Sequence, residues 1–224
     1  MSADTWPEWE HVLSAAAHLQ VLLPGATLVG GTAAAIFAGH RVSHDADHVI
    51  PDLRDRFDEV LAQLESVAGW RTARVKRPVL TLGSLDGVET GVRQLIRDQP
   101  LETVAISVGG VSLVVPSEPE MLRIKGVLIL KRNATRDYLD FVALADRLGP
   151  DGVFEALASL DQLYPQPSGE SALQQLHVQL ARPLPYDLTE TNLAEYRRLD
   201  PRWHDWRQVS ARCAAIAADT FGRL

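Results

Sequence analysis

A glycine pair followed by two closely spaced acids constrains this chain more than any other feature. Gly30 and Gly31 open a short alanine-rich stretch, and Asp45 and Asp47 follow it. Residues i and i+2 of a strand project from the same face, so both carboxylates can reach one point in space. Backbone N–H groups at a helix start bind phosphate oxygens, and carboxylates hold hard cations. The pattern therefore suits a magnesium-bound nucleoside triphosphate.

The segments around the acids predict an α/β arrangement. Thr32 is expected to cap a helix that ends before Gly39, a glycine in the C′ position. A strand over 44–50 carries the acids, and apolar residues with helical period predict a helix over 52–68. Further strands are predicted at 70–76, 78–83, 87–96, 101–106 and 111–115. The turn GSLDG at 83–87 is expected to join the second and third of these as a hairpin.

The sequence changes character at Pro116, after which helices are expected. Ser117 and Glu120 have the capping-box spacing, which predicts a helix to about Lys131. Thr135 is expected to cap a second helix through Leu148. The chain therefore reads as an α/β part followed by an all-helical part.

Composition limits the class of protein. With 224 residues, 46% of them hydrophobic, the chain can bury one core of normal size, or a core plus a smaller annex. No apolar run approaches the roughly 20 residues that span a bilayer, so no membrane partner is expected. The single cysteine, Cys213, excludes an intramolecular disulfide and fits a cytoplasmic location. The net charge of −7 argues against a broad nucleic-acid surface but allows a local basic pocket.

A lysine and two acids on the predicted helices form a second candidate group. Lys125 falls within the apolar stripe of its helix, and burying an ammonium is costly unless an anion meets it. It either reaches past the core edge to water or faces a cleft and binds triphosphate. Asp137 and Asp140 share one helix face, and Arg136 can pair with Asp140 at i, i+4. Acids in a first helical turn also have a purely structural explanation.

Other residues near the paired acids leave alternatives open. Glu89, on the strand at 87–96, is either a third metal-binding acid or a solvent-facing residue. His44 and His48 flank the acids, as in a transition-metal cluster. Strand alternation, however, places these histidines on the face opposite Asp45 and Asp47. A shared histidine–metal site would need a bulge or a loop there.

A basic cluster covers the predicted strand at 70–76 and the residue after it. Its members are Arg71, Arg74, Lys76 and Arg77. They can line an approach for a polyanionic substrate, or they can protect a sheet edge from aggregation.

Two ordered motifs carry a family resemblance. They are GGTAAAIFAGHRVSHDADHV at 30–49 and LRIKGVLILKRNATRDYLDFVAL at 122–144, with GSLDGVETGVRQL at 83–95 adding to them. Together they resemble the AbiEii-type nucleotidyltransferase toxins, the toxin halves of type IV toxin–antitoxin and phage-abortive systems. The resemblance covers roughly residues 25–148.

The resemblance implies an α+β fold of the polymerase-β-like nucleotidyltransferase superfamily. Its nucleotidyltransferase core, a small mixed sheet flanked by helices, would occupy residues 1–115. An all-helical C-terminal region over residues 116–224 would complete the active site.

The resemblance also implies residue roles. Nucleotide binding is implied for Gly30, Gly31, Thr32 and Arg136. Ligation of Mg²⁺ is implied for Asp45, Asp47 and Glu89. Catalysis is implied for Asp45, Asp47, Lys125, Asp137 and Asp140. One departure is His48, which stands where family members often have an apolar residue.

The implied activity is magnesium-dependent transfer of a nucleotidyl group from a nucleoside triphosphate to a hydroxyl of RNA, tRNA first, or of a protein. A cognate antitoxin is the implied protein partner. The alternative is a catalytically silent module of the same fold that binds nucleotide or a partner. A histidine–metal hydrolase is a third hypothesis. Release of pyrophosphate from a nucleoside triphosphate with magnesium separates the enzyme from the silent module.

Overall fold

The computed structural model describes residues 7–223. The chain divides into two compact units. The N-terminal unit contains the residues up to Ile36 together with Val42–Ser117, and the C-terminal unit contains Phe37–Arg41 together with the residues from Glu118 onward. The domain assignment made from the sequence stays a prediction. Among the described residues, no helix is long and apolar enough to cross a membrane.

The N-terminal unit holds the strands. Its helices are α1 (Pro7–Leu22), α2 (Gly30–Ala38, whose last two residues fall in the other unit) and α3 (Phe57–Glu65). Its strands are β1 (Thr27–Leu28), β2 (Asp45–Ile50), β3 (Trp70–Lys76), β4 (Leu80–Leu85), β5 (Val88–Gln94), β6 (Thr103–Val108) and β7 (Val111–Pro116).

Five of these strands form one mixed sheet in the order β1-β2-β5-β4-β3. Strands β2 and β5 are parallel, and the other pairs are antiparallel. Strands β6 and β7 pair separately. The predicted small mixed sheet is confirmed.

The pairing register aligns three rows of residues across four strands. From β2 to β3, the rows are Asp45–Glu89–Ser84–Arg71, Asp47–Gly91–Leu82–Arg74 and Val49–Arg93–Leu80–Lys76. Residues directly opposite each other in a sheet lie on the same face. Every side chain in these rows is half-buried or exposed, and Gly91, which has no side chain, is buried. We call this surface the open face.

The opposite face of the sheet is largely buried, except on β3 beyond Trp70. Apolar residues on it form one core with residues of α1 and α3. The sheet contributes Ile50, Trp70, Leu85 and Val92, and the helices contribute Leu19, Phe57, Val60, Leu61 and Leu64. Leu23, which follows the end of α1, packs with them. The strand alternation that buries one face leaves the acids of β2 on the other.

The hairpin between β4 and β5 has a shorter turn than predicted. Asp86 and Gly87 both have positive φ values, 53° and 85°. Two such residues form the tight turn whose twist matches antiparallel strands. Strand β4 therefore extends to Leu85, and only two residues of the predicted turn at 83–87 lie outside the strands.

The described part of the C-terminal unit is helical, as predicted. Its helices are α4 (Glu118–Arg132), α5 (Thr135–Leu157), α6 (Leu160–Leu163), α7 (Ala172–Ala181) and α8 (Trp206–Phe221), with short 3-10 turns at 188–190, 193–195 and 201–203. Helix α5 is kinked at Gly149, whose φ is 71°, just before Pro150. The kink directly follows Leu148, where the sequence predicted this helix to end.

Two predicted helix caps are wrong. Helix α2 begins at Gly30, so Thr32 lies inside its first turn. Helix α5 has Ala134 at its N-cap, and the backbone N–H and hydroxyl of Thr135 both donate to Asp187 Oδ1, each at 2.7 Å. An acid distant in sequence therefore satisfies the N-terminus that Thr135 was expected to cap.

Candidate functional site

The two predicted metal-binding acids lie on the open face of β2. Asp45 and Asp47 occupy alternate positions of the strand, and both are half-buried. Ser43 Oγ donates a hydrogen bond of 2.8 Å to Asp45 Oδ1, which orients that carboxylate. The strand thus presents two carboxylates on one surface.

The start of α2 lies beside these acids. Gly30 has a φ of 75°, and a Cβ built there would come 3.6 Å from Asp47 Cβ and 3.8 Å from Asp47 Oδ2. Thr32 is fully buried, and its hydroxyl donates to the backbone carbonyl of Asp45. The fold therefore uses the Thr32 hydroxyl to tie helix to strand. The roles of Gly30, Gly31 and Thr32 in nucleotide binding stay predictions.

Strand β5 adds three residues around the acids. Glu89 is exposed and lies opposite Asp45. Arg93 places Nη2 3.8 Å from Asp47 Oδ1. Gly91 lies opposite Asp47, and a Cβ there would come 2.8 Å from Asp47 Oδ1. Sequence reasoning missed Gly91 and Arg93 as site residues, although both alternate with Glu89 along the strand.

The donor set fits magnesium brought with a nucleotide. Within residues 7–223, no three His, Cys, Asp or Glu side chains are grouped as a metal site. Magnesium, however, is commonly bound through one or two carboxylates together with substrate phosphates and water. Asp45 and Asp47, which are half-buried on one face of β2, match that requirement. Glu89 as a third ligand stays a prediction.

The histidines flanking the acids do not join them. His48 lies on the buried face of β2, and its Nδ1–H donates to the Ala46 carbonyl at 3.0 Å. Burial lowers the pKa of His48 to about 4, against an ordinary value of 6.5. His44 is exposed and precedes the first residue of β2. The histidine–metal hypothesis therefore gains no support from this strand.

The C-terminal unit contains a buried ionic cluster centred on Asp140. Lys125 is 1% exposed, and its Nζ lies 2.7 Å from Asp140 Oδ2 and 3.6 Å from Asp137 Oδ1. The alternative in which Lys125 extends to water is therefore wrong. The anion that a buried ammonium requires is supplied by these two carboxylates. Contact between Lys125 and a triphosphate stays a prediction.

Two further basic residues hold Asp140. His40 Nε2 lies 2.8 Å from Asp140 Oδ1, and Arg41 donates from Nε at 2.8 Å and from Nη2 at 3.0 Å. Burial alone raises the pKa of Asp140, but Arg41, Lys125 and His40 outweigh it and hold the pKa well below its usual range. Burial lowers the pKa of His40 despite its contact with the carboxylate. Asp140 is therefore an ionised acid within a basic shell.

Asp137 is also held by Arg132, and Arg136 does not pair with Asp140 as expected. Arg132 donates to both oxygens of Asp137, each at 2.8 Å. The predicted pair between Arg136 and Asp140 is wrong, because Arg136 is exposed while Asp140 is fully buried. The carboxylate of Asp140 points inward to Arg41 and Lys125 instead. Nucleotide binding by Arg136 stays a prediction.

The fold of this chain is similar to that of several solved structures. Protein JHP933 from Helicobacter pylori has a TM-score of 0.60 and 14% sequence identity, over 96% of this chain and 91% of that one. A protein described as a nucleotidyltransferase from H. pylori has a TM-score of 0.55 and 13% identity, over 98% and 97%. The antibiotic-resistance factor ANT(2'')-Ia has a TM-score of 0.50 and 16% identity, over 68% and 89%. The chain has the nucleotidyltransferase fold.

Sequence comparison gives a different kind of match. The sequence matches no protein-family model. It is 33% identical over 124 residues to the heme uptake protein MmpL11 of Mycobacterium tuberculosis, covering 54% of this chain and 12% of that protein. It is also 33% identical over 124 residues to the mycolic acid-containing lipids exporter MmpL11 of Mycolicibacterium smegmatis, covering 54% and 13%. The matched segment thus spans about an eighth of these curated relatives.

Proposed function

We propose that the chain is a magnesium-dependent nucleotidyltransferase, which transfers a nucleotidyl group from a nucleoside triphosphate to an acceptor hydroxyl. One observation carries the proposal. Asp45 and Asp47 share the open face of β2, and the glycine that begins α2 lies against Asp47. The nucleotidyltransferase fold of the chain supports the same reaction class.

The proposed chemistry assigns the acids to magnesium. When bound, Mg²⁺ stabilises the charge that develops on the phosphates during in-line displacement. Asp45 and Asp47 would hold it, with Glu89 as the third candidate. Ser43 orients one carboxylate, and the absence of a side chain at Gly91 leaves room for the other. Backbone N–H groups at Gly30 and Gly31 would bind phosphate oxygens.

The family resemblance extends the proposal to the helical unit. Lys125 would neutralise charge on the leaving pyrophosphate, with Asp137 or Asp140 completing the active site. In that role the ammonium of Lys125 would leave the carboxylate of Asp140 and bind a phosphate oxygen instead. Asp140 would keep His40 and Arg41 as partners in the exchange. The carboxylate of Asp140 would thus stay ionised beside Arg41 when Lys125 has left it.

The acceptor and the biological role rest on the same resemblance. We propose RNA as the acceptor, tRNA first, with a protein hydroxyl second. A toxin of the AbiEii type would act beside a cognate antitoxin. The transport activities named for the MmpL11 proteins are not carried over, because the match spans about an eighth of their length.

Label transfer tests the proposal. The protein is incubated with each labelled nucleoside triphosphate, Mg²⁺ and total RNA, and label is followed in RNA and in protein. We expect label in RNA, release of pyrophosphate, and loss of both with a chelator or in Asp47→Asn. A protein that binds nucleotide but releases no pyrophosphate is a silent module, and that result would overturn the proposal.

A further inference from the structure

We propose that the open face of the five-stranded sheet binds the phosphodiester backbone of a nucleic acid strand. The strand would run from the basic residues of β3 across the sheet to the paired acids of β2. The inference rests on the proposed function, because the acids at one end would act on a hydroxyl of the bound strand. It adds to that function the surface that would hold the acceptor strand.

The pairing register supplies the first argument. Each of the three rows across the open face begins at β2 and ends at a basic residue of β3. Those residues are Arg71, Arg74 and Lys76, which are all exposed. Arg93, on β5 in the third row, is 44% exposed and adds a fourth cation between the two ends. The sheet therefore has an acidic side and a basic side on one surface.

The cations of β3 differ from their neighbour Arg77 in their ion pairs. In the part of the chain that the structure describes, Arg71, Arg74 and Lys76 form no ion pair. Arg77 instead places Nη1 2.9 Å from Asp58 Oδ1, and its guanidinium lies 5.4 Å from the centre of the Phe57 ring. From the sequence, Arg77 was predicted to belong to the same basic cluster as Arg71, Arg74 and Lys76. The structure gives Arg77 partners of its own and leaves three cations of β3 for a ligand.

Protection of the sheet edge explains this distribution less well. Charges that only prevent edge pairing are useful on either face of an edge strand. On β3, the positions opposite the buried-face residues Gly83 and Thr81 are Thr72 and Val75, which carry no charge. All the cations of β3 therefore stand on the side that also carries Asp45 and Asp47. A shared ligand accounts for the one-sided placement.

The width of the sheet sets the size of that ligand. Neighbouring strands lie about 4.8 Å apart, so the three spacings from β2 to β3 amount to about 14 Å. A ligand that contacts both sides must be extended and must carry negative charge along its length. A nucleic acid strand has one phosphate per nucleotide and a hydroxyl at its end. It meets both requirements.

Salt-dependent binding of oligonucleotides tests the proposal. The probes are a short fluorescent single-stranded RNA and a DNA of the same base sequence, titrated with the full chain without nucleotide over a series of KCl concentrations. Contacts by three or four cations predict a slope of log Kd against log salt of roughly 2 to 3. Equal binding of the two probes assigns the contacts to phosphates, and tighter RNA binding adds a contact to the 2′-hydroxyl.

A charge-neutralising variant and a matched control locate the surface. The triple substitution Arg71→Gln, Arg74→Gln and Lys76→Gln should lower the slope by about 2 and weaken binding about tenfold or more at low salt. Arg77→Gln removes one equally basic residue from the same segment and should bind as the wild type does. The single variant Arg74→Gln should lower the slope by about 0.7, which guards against misfolding of the triple variant.

Four outcomes would overturn the proposal. Three of them are no binding of either oligonucleotide, an unchanged slope in the triple variant, and a loss of binding in Arg77→Gln equal to that in the triple variant. The fourth is competition by an acidic peptide as strong as that by RNA of equal charge. Failure of the proposed function looks different, since a wild-type protein without pyrophosphate release can still show the predicted slopes. Normal pyrophosphate release with no oligonucleotide binding would remove only this inference.

Discussion

Gly91 on β5 lies directly against the carboxylate of Asp47 on β2. A Cβ built at Gly91 would come 2.8 Å from Asp47 Oδ1 and 2.7 Å from Leu82 Cδ2. Contacts below 3.0 Å require one of the two groups to move. The carboxylate of Asp47, which we assign to Mg²⁺, therefore occupies the space that a side chain at position 91 would need.

Substitution Gly91→Ala should displace the Asp47 carboxylate without unfolding the protein. We expect transfer activity to fall about ten- to a hundredfold, because small misplacements of a catalytic group are costly. Affinity for Mn²⁺, measured by calorimetry with a nucleotide present, should fall as well. The double variant Gly91→Ala, Leu82→Ala removes the Leu82 contact only. Full activity in the double variant would assign the defect to Leu82 rather than to Asp47.

Neutralising either paired acid should abolish transfer and spare the fold. For Asp45→Asn and Asp47→Asn, we expect activity to fall at least about a hundredfold, since metal-assisted charge stabilisation amounts to several kcal/mol. Thermal unfolding should change little, because both side chains lie on the open face rather than in the core. Ser84→Ala, on the same face of β4, is the control and should keep its activity. Near-normal transfer by either acid variant would show that the metal assignment is wrong.

Local sequence patterns predicted those features of the site that are set by residues close together in the sequence. The strand period placed Asp45 and Asp47 on one face, and the apolar period placed Lys125 within the apolar stripe of its helix. The surroundings of the acids depend instead on the parallel pairing of β2 with β5. That pairing brings Thr90 to Ala46, 44 residues away in sequence. No local pattern reports such a register, so Gly91 and Arg93 were missed.

The ionic cluster shows the same limit. Arg136 lies at the spacing that predicts a pair with Asp140, but the actual partners His40 and Arg41 are 100 and 99 residues away from Asp140. A helical i, i+4 spacing shows which side chains can meet at a surface. It gives no information on a carboxylate that faces the core. Burial and distant partners, rather than helix geometry, determine what Asp140 contacts.

Removing the centre of the cluster should cost more stability than removing one of its partners. Asp140→Asn removes the carboxylate that Arg41 and Lys125 share in a buried site and leaves Lys125 only the longer contact with Asp137. We expect a loss of about 3–5 kcal/mol in the free energy of unfolding. Lys125→Met should cost less, because Asp140 keeps His40 and Arg41. Urea unfolding at neutral pH measures both. The exposed neighbour variant Arg136→Gln should change little, and a larger loss in Lys125→Met than in Asp140→Asn would contradict this account.

Buried histidine should make the protein less stable in mild acid. The pKa of His48 is about 4 in the folded chain, below the ordinary value of 6.5, so the unfolded chain binds the proton first as pH falls. Stability from this residue is complete above pH of about 6.5 and should fall by about 2 kcal/mol by pH of about 5. Burial also lowers the pKa values of His40 and His177, which act with the same sign. Urea unfolding at several pH values should therefore show a slope that His48→Leu reduces but does not remove. A wild-type protein equally stable across this range would show that His48 takes up a proton without disturbing the buried face of β2.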